Sequence, residues 1–172
     1  CLEIRGVVGK EVINVIVIYL GTGGEREILM KNRELLNHVR ERVKETEEEI
    51  YIVMGDFNCH LGYLGYQTEN ENGRIVNEFI EESDLILMNI DEKCSGLYTW
   101  ERGISKSAID LVLVNEIGYS KLEKMIIDEN KERIDFSDHC LIEVRIRLKE
   151  RNKCKVWKEK QEKFYYSKKK EK

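Results

Sequence analysis

At 172 residues, with no proline and a formal net charge of −4, the chain has the length of one domain able to bury a core. The mild acidity offers no general surface for polyanions, no apolar run is long enough to span a bilayer, and no signal-peptide pattern opens the sequence at Cys1. The charge is unevenly placed, because residues 150–172 hold ten Lys/Arg and four Glu, a net of +6, which leaves −10 for the remainder.

In chain order, residues 2–8 alternate weakly, Gly9-Lys10 interrupts them, and residues 11–20 are rich in Val and Ile. The two read as a β-hairpin or as adjacent strands. Tyr19 closes the second run before Gly21-Thr22-Gly23-Gly24. That glycine cluster lacks the Lys-Ser/Thr of a phosphate-binding loop and reads as a turn. Over residues 25–49 the period becomes helical, with Ile28, Leu29, Leu35, Leu36, Val39 and Val43 toward one face and His38 expected at the surface. The β-branched run Ile50-Tyr51-Ile52-Val53 then ends in Gly55-Asp56-Phe57-Asn58. This puts an acid and an amide at the tip of a buried strand. A carboxylate there can orient a water or hold a cation, and an amide can donate to an anionic oxygen. Taken alone, the tetrapeptide is equally an Asx turn closing the strand.

Residues 59–72 form a loop in which His60 is not expected to be catalytic. Asn72 is the expected N-cap of a second amphipathic helix carrying Ile75, Val76, Phe79 and Ile80, which ends near Ser83-Asp84. Residues 85–90 read as a strand and 91–96 as a loop, and Tyr98-Thr99-Trp100 starts a further strand. Residues 107–114 are another apolar β-branched run, which includes Ala108-Ile109-Asp110. Residues 121–128 and 140–148 are the last expected strands, the second introduced by Ser137-Asp138-His139. Many strands with two helices between them predict a mixed α/β sheet protein. Cys1, Cys59, Cys94, Cys140 and Cys154 show no CxxC spacing, so reduced thiols are expected. The tail, with Trp157, Phe164, Tyr165 and Tyr166 among lysines, reads first as a linker.

Tyr19, Gly55-Asp56-Phe57-Asn58, Thr99-Trp100, Ser107-Ala108-Ile109-Asp110 and Ser137-Asp138-His139 resemble, in that order, the motifs of the endonuclease/exonuclease/phosphatase superfamily. Asn70-Glu71-Asn72-Gly73-Arg74, Asn77-Glu78-Phe79, Asn89 and Tyr98-Thr99-Trp100 are similar to the endonuclease domains of non-LTR (LINE-type) retrotransposons and their craniofacial-development-protein-like relatives. The resemblance implies that residues 1–149 form the C-terminal two-thirds of a four-layer α/β sandwich, two mixed β-sheets flanked by helices. It implies metal-dependent phosphodiester hydrolysis, with DNA nicking as the reaction and Mg²⁺, or Mn²⁺ in its place, as the cofactor. It further implies a monomeric intracellular enzyme, nuclear or cytoplasmic, with DNA as partner, no membrane, and a downstream reverse transcriptase in the parent protein.

By position, Asp56 would orient or deprotonate the attacking water and Asn58 would donate to the scissile phosphate. His139 would contact the same phosphate, with Asp110 holding its imidazole, and Tyr19 would touch it too. Asp138 would bind metal or orient water, and Thr99 and Ser107 would serve substrate binding. Two family motifs, an early Asn and a metal-binding Glu, have no counterpart: Glu3 and Glu11 sit on hairpin strands and Asn14 is mid-strand. The proline that usually follows the motif tyrosine is replaced by Leu20-Gly21. The chain is therefore expected to be a piece that starts after both motifs, with weakened metal affinity. Two alternatives stay open: a phosphodiesterase or phosphatase for other phosphate esters, and a non-catalytic remnant.

Overall fold

The computed structural model describes residues 1–148 apart from 47, 66, 67 and 134. The basic tail and Cys154 lie outside the described residues. The strands are β1 (Leu2–Val8), β2 (Glu11–Tyr19), β3 (Ile50–Asp56), β4 (Ile86–Leu87), β5 (Cys94–Ser95), β6 (Trp100–Arg102), β7 (Ser105–Ser107), β8 (Asp110–Val114), β9 (Leu122–Ile127) and β10 (Ile142–Ile146). The helices are α1 (Arg26–Lys44), α2 (Glu71–Ser83) and α3 (Glu116–Lys121).

β1 and β2 form the expected antiparallel hairpin, and Gly9 takes the positive φ of 66° that its two-residue turn requires. α1 carries the chain back so that β3 lies parallel to β2, and β8 then pairs antiparallel to β3. The resulting five-stranded mixed sheet has the order β1-β2-β3-β8-β4, and a three-stranded mixed sheet has the order β10-β9-β5. β6 and β7 form a separate hairpin.

β3 and β8 are buried on both faces, which is why their sequences read as unbroken apolar runs. On one face Tyr51, Val53, Leu111 and Leu113 pack under Leu36, Val39 and Val43 of α1 and Ile75, Val76 and Phe79 of α2. On the other, Ile50, Ile52, Val112 and Val114 meet Leu122, Met125 and Ile127 of the smaller sheet. Each such side chain taken fully out of water contributes about 1.5–3 kcal/mol. The ion pairs Arg33–Glu78 and Arg40–Glu82 join α1 to α2; the first is exposed at both ends and adds little, and the second is exposed at Glu82 with Arg40 partly covered. Helices, large sheet and small sheet are the layers these residues build, in keeping with the two mixed sheets expected. Among the described residues no helix is long and apolar enough to cross a membrane.

Several expected elements differ in detail. The run 85–90 pairs only at Ile86–Leu87 and then turns into a 3-10 helix, Met88–Ile90. There the Asn89 side chain replaces the strand backbone, accepting from Val112 N (2.9 Å) and donating to Asp110 O (3.0 Å). The run 107–114 breaks at Ala108-Ile109, because Ser107 belongs to the β6–β7 hairpin and Asp110 opens β8. β5 lies in the stretch read as a loop, and α3 was not expected. The cap of α2 is Asn70, whose side chain accepts from Gly73 N, while Asn72 is buried in the first turn. The four described cysteines are free thiols.

Candidate active site

Three strand ends bring the motif residues into one row. Tyr19 is the register partner of Asp56 across β2–β3, and Asp56 is that of Asp110 across β3–β8. Gly55 makes the approach to Asp56 possible: its φ is 138°, and a Cβ there would lie 2.0 Å from the Ile18 carbonyl oxygen. No other residue type fits that crossing without moving backbone. Beyond the strand end, the Asp56 carboxylate accepts the Asn58 N–H (2.9 Å) and Asn58 adopts a left-handed φ of 45°. That bend directs the Asn58 Nδ2 to the Leu20 carbonyl at 2.8 Å, tying the β2 and β3 loops together.

The fourth member comes from the far end of the chain. Residues 138–140 lie alongside β6, with Glu101 N donating to Asp138 O (2.8 Å) and Cys140 N to Thr99 O (2.7 Å). His139 is thereby held against Asp110, its Nδ1 at 2.9 and 3.1 Å from the two carboxylate oxygens. Between these groups opens a cleft of about 690 Å³, lined among others by Tyr19, Asp56, Asn58, Trp100, Ser107 and His139. Tyr19, 64% exposed, stands on its rim. Burial pushes the Asp56 carboxyl above the usual carboxylate range, and the charge of nearby Asp110 adds to the effect against the pull of the Asn58 N–H.

Two expected site residues, Thr99 and Asp138, stand outside the lining of the cleft. Thr99 is fully buried, and its hydroxyl oxygen accepts both Ile109 N (3.1 Å) and Asp110 N (2.9 Å). It buttresses Asp110 from behind and does not reach the cleft, whereas Ser107 does line it. Thr99→Val is expected to leave two amides unsatisfied at a cost of about 1–3 kcal/mol each. Denaturant unfolding measures this, with Thr99→Ser near the parent; a Val variant of parental stability would refute it. Asp138 is exposed, and its carboxylate accepts the Trp100 indole N–H at 3.1 Å, which holds it below the usual range. It steadies a ring on the cleft wall rather than lining the cleft.

A family profile described as endonuclease-reverse transcriptase matches residues 13–143. The chain belongs to that family. No curated protein matches it. Among solved structures, the endonuclease domain of TRAS1, a telomere-specific non-LTR retrotransposon, is 19% identical with a TM-score of 0.61, over 86% of this chain and 63% of that one. A 3′ phosphatase, NExo, from Neisseria, solved with a product DNA hairpin, is 13% identical with a TM-score of 0.64, over 85% and 65%. An endonuclease/exonuclease/phosphatase family protein from Leptotrichia buccalis is 18% identical with a TM-score of 0.58, over 85% and 52%. These likenesses establish the endonuclease/exonuclease/phosphatase fold. The chain spans less than two-thirds of each of those three chains.

In this member of the endonuclease-reverse transcriptase family, more residues line the cleft than the motifs alone disclosed. Thr22, Gly23, Gly24, His60, Asn70, Glu71 and Asn72 also line the cleft. The glycine segment 21–24, expected as a turn, bends only at Gly23-Gly24 and forms part of the cleft wall. Burial lowers the His60 imidazole below its usual range. Cys59, beside the Asp56 loop, is buried with its thiol pushed up to about 12, so it supplies no thiolate.

Proposed function

We propose that this chain carries a phosphodiester-hydrolysing site that nicks DNA, as part of a retrotransposon-type endonuclease linked in its parent protein to a reverse transcriptase. What carries the reading is the pairing across one cleft of Asp56–Asn58 with Asp110–His139, in a chain of this family. Hydrolysis needs an aligned water on one side of the phosphorus and relief of charge on its oxygens.

Asp56 is placed for the first task. Its carboxyl, raised by burial, is better matched to taking a proton from water near neutral pH than an ordinary aspartate. Asn58 serves the second: Nδ2 has two hydrogens, Leu20 takes one, and the other is offered to a non-bridging oxygen. With Nδ1 of His139 engaged by Asp110, Nε2 is the nitrogen left for the phosphate, where it can donate to an oxygen as charge builds. Tyr19 on the rim adds a phenolic donor.

The donor chemistry suits a hard divalent cation. The Asp56 carboxylate is half-buried with Asp110 close by, a concentration of negative charge that a cation offsets. Among the described residues no group of three or more His, Cys, Asp or Glu converges to cage a metal. Mg²⁺ is commonly held by one or two carboxylates together with substrate phosphate oxygens and its own waters, which is the mode Asp56 fits. When bound, such an ion supplies Lewis-acid relief of phosphate charge.

The test is nicking of supercoiled plasmid with Mg²⁺ and with EDTA, using this chain and the longest native polypeptide that contains it. EDTA-sensitive nicking supports the reading. Absence of nicking from both, with hydrolysis of a phosphomonoester such as p-nitrophenyl phosphate, would replace it with a phosphatase. Inactivity toward both would retire it.

A further inference from the structure

Asn58 has a left-handed φ of 45° and lies beyond the end of β3, outside its ladder, so something else must hold that peptide. The holders are two side-chain amides from the first turn of α2. Asn70 Nδ2 and Asn72 Nδ2 each donate to Asn58 O at 3.2 Å. Asn72, only 3% exposed, also donates to Gly21 O (3.0 Å) and Phe57 O (3.3 Å). Its own Oδ1 accepts from Asn32 of α1 at 2.9 Å. Asn32 completes the cluster by exchanging two bonds with Gly21, both at 3.0 Å. Asn70 Oδ1 meanwhile accepts His60 N (2.9 Å) as well as Gly73 N (2.8 Å). Gly73 is required for this fit, since a Cβ would come within 2.2 Å of the His60 carbonyl oxygen.

We propose that Asn72, backed by Asn32 and assisted by Asn70, is the positioning residue for the Asp56–Asn58 loop. It holds the backbone carbonyls of Gly21, Phe57 and Asn58 so that the Asn58 amide and the Asp56 carboxylate keep their places in the cleft. The assignment rests on the reading of that cleft as a hydrolytic site. Apolar packing cannot do this job, because three carbonyls converge on one buried point and each requires a donor. An asparagine amide has two hydrogens to share among them and an oxygen with which the neighbouring helix fixes its orientation.

The test compares Asn72→Ala with Val43→Ala, a core truncation in the last turn of α1 that serves as a control for lost stability alone. Well below either melting temperature, Asn72→Ala is expected to lower kcat by ~10²-fold, the scale of an ångström-sized misplacement, with KM changed by less than about threefold. Val43→Ala should leave kcat near the parent value. Asn70→Asp, which keeps an oxygen for the helix cap but has no donor for Asn58, should lower kcat by about tenfold and covers the case in which Asn72→Ala does not fold. Amide exchange by NMR supplies a readout independent of activity: the Asn58 and His60 N–H groups should lose protection in both asparagine variants while those of β3 keep theirs. Equal behaviour of Asn72→Ala and Val43→Ala in kcat and in exchange would overturn the proposal. If the parent cleaves nothing, the hydrolytic reading fails separately, and the exchange data still decide whether the amides hold the loop.

Discussion

Asp56→Asn is expected to lower DNA nicking by about 10²–10⁴-fold, the scale of losing a positioned acid–base group, and to leave the protein folded. The substitution keeps an oxygen to accept the Asn58 N–H, removes the charge, and exchanges the second oxygen for an NH2 of the same size. Stability should move in the opposite direction to activity. Burial, then the charge of Asp110, raises the Asp56 carboxyl, so the folded state binds its proton more tightly than the unfolded chain does. For a carboxyl shifted upward, the favourable contribution is full below the ordinary pKa, 3.8, and is lost as pH rises through the raised value. At pH 7 ionised Asp56 therefore works against folding, and the neutral asparagine relieves it. Thermal melts should place the variant at or above the parent at pH 7, with the gap closing as pH falls toward the ordinary value. A variant that nicks normally would remove Asp56 from the chemistry; one that melts well below the parent at pH 7 would show that its charge holds the fold together.

That opposition between stability and function explains which parts of the site were legible in the sequence. Asp56 and Asn58 follow a run of β-branched residues that could only be a buried strand, so a polar pair at its end stood out against the surroundings. Asp110 and His139 were marked in the same way by the apolar runs they precede, and the order of the motifs carried the resemblance. Residues whose polarity is spent inside the fold were harder to read. Thr99 shares a motif with Trp100, yet only the packed structure reveals that its hydroxyl faces the 109–110 backbone and not the cleft. Asn70 and Asn72 both satisfy the local pattern of a helix cap, and sequence alone chose the wrong one. The choice was made by tertiary demand, because the carbonyls of Gly21, Phe57 and Asn58 claim the Asn72 amide and leave the cap to Asn70.

The secondary-structure differences have the same origin. Residues 85–90 are apolar enough for a full strand, but the edge beside β8 is completed by the Asn89 side chain, and the backbone is free to turn. α3 has six residues, too few for a helical period to emerge, and depends on Asn115, whose side chain accepts from Gly118 N and Tyr51 N at 3.0 Å each and donates to Glu49 O at 2.8 Å. Local pattern thus revealed the strands and helices that bury apolar faces. Elements finished by a single long-range amide remained hidden.

His139 and Asp110 should prove to be one functional unit. The two carboxylate oxygens lie 2.9 and 3.1 Å from Nδ1, so the aspartate fixes the ring's rotation and selects the form that carries a proton on Nδ1. His139→Gln removes the donor proposed to meet the phosphate. Asp110→Asn keeps the size but can present its own N–H to the ring, which favours the wrong tautomer or turns the imidazole away. Each change is expected to reduce kcat by about 10²–10⁴-fold with a smaller effect on KM, since both act on charge that develops during the reaction. If the aspartate works only through the histidine, the double variant should be no slower than the worse single one, in contrast to the product of losses expected for independent groups. Steady-state nicking by the four proteins measures this, with melting curves to confirm that all are folded. Multiplicative losses would mean that Asp110 acts on substrate or cation by its own route. Parental activity in Asp110→Asn would reduce the pair to a structural ion pair beside the cleft, leaving Asp56 and Asn58 to carry the chemistry without it.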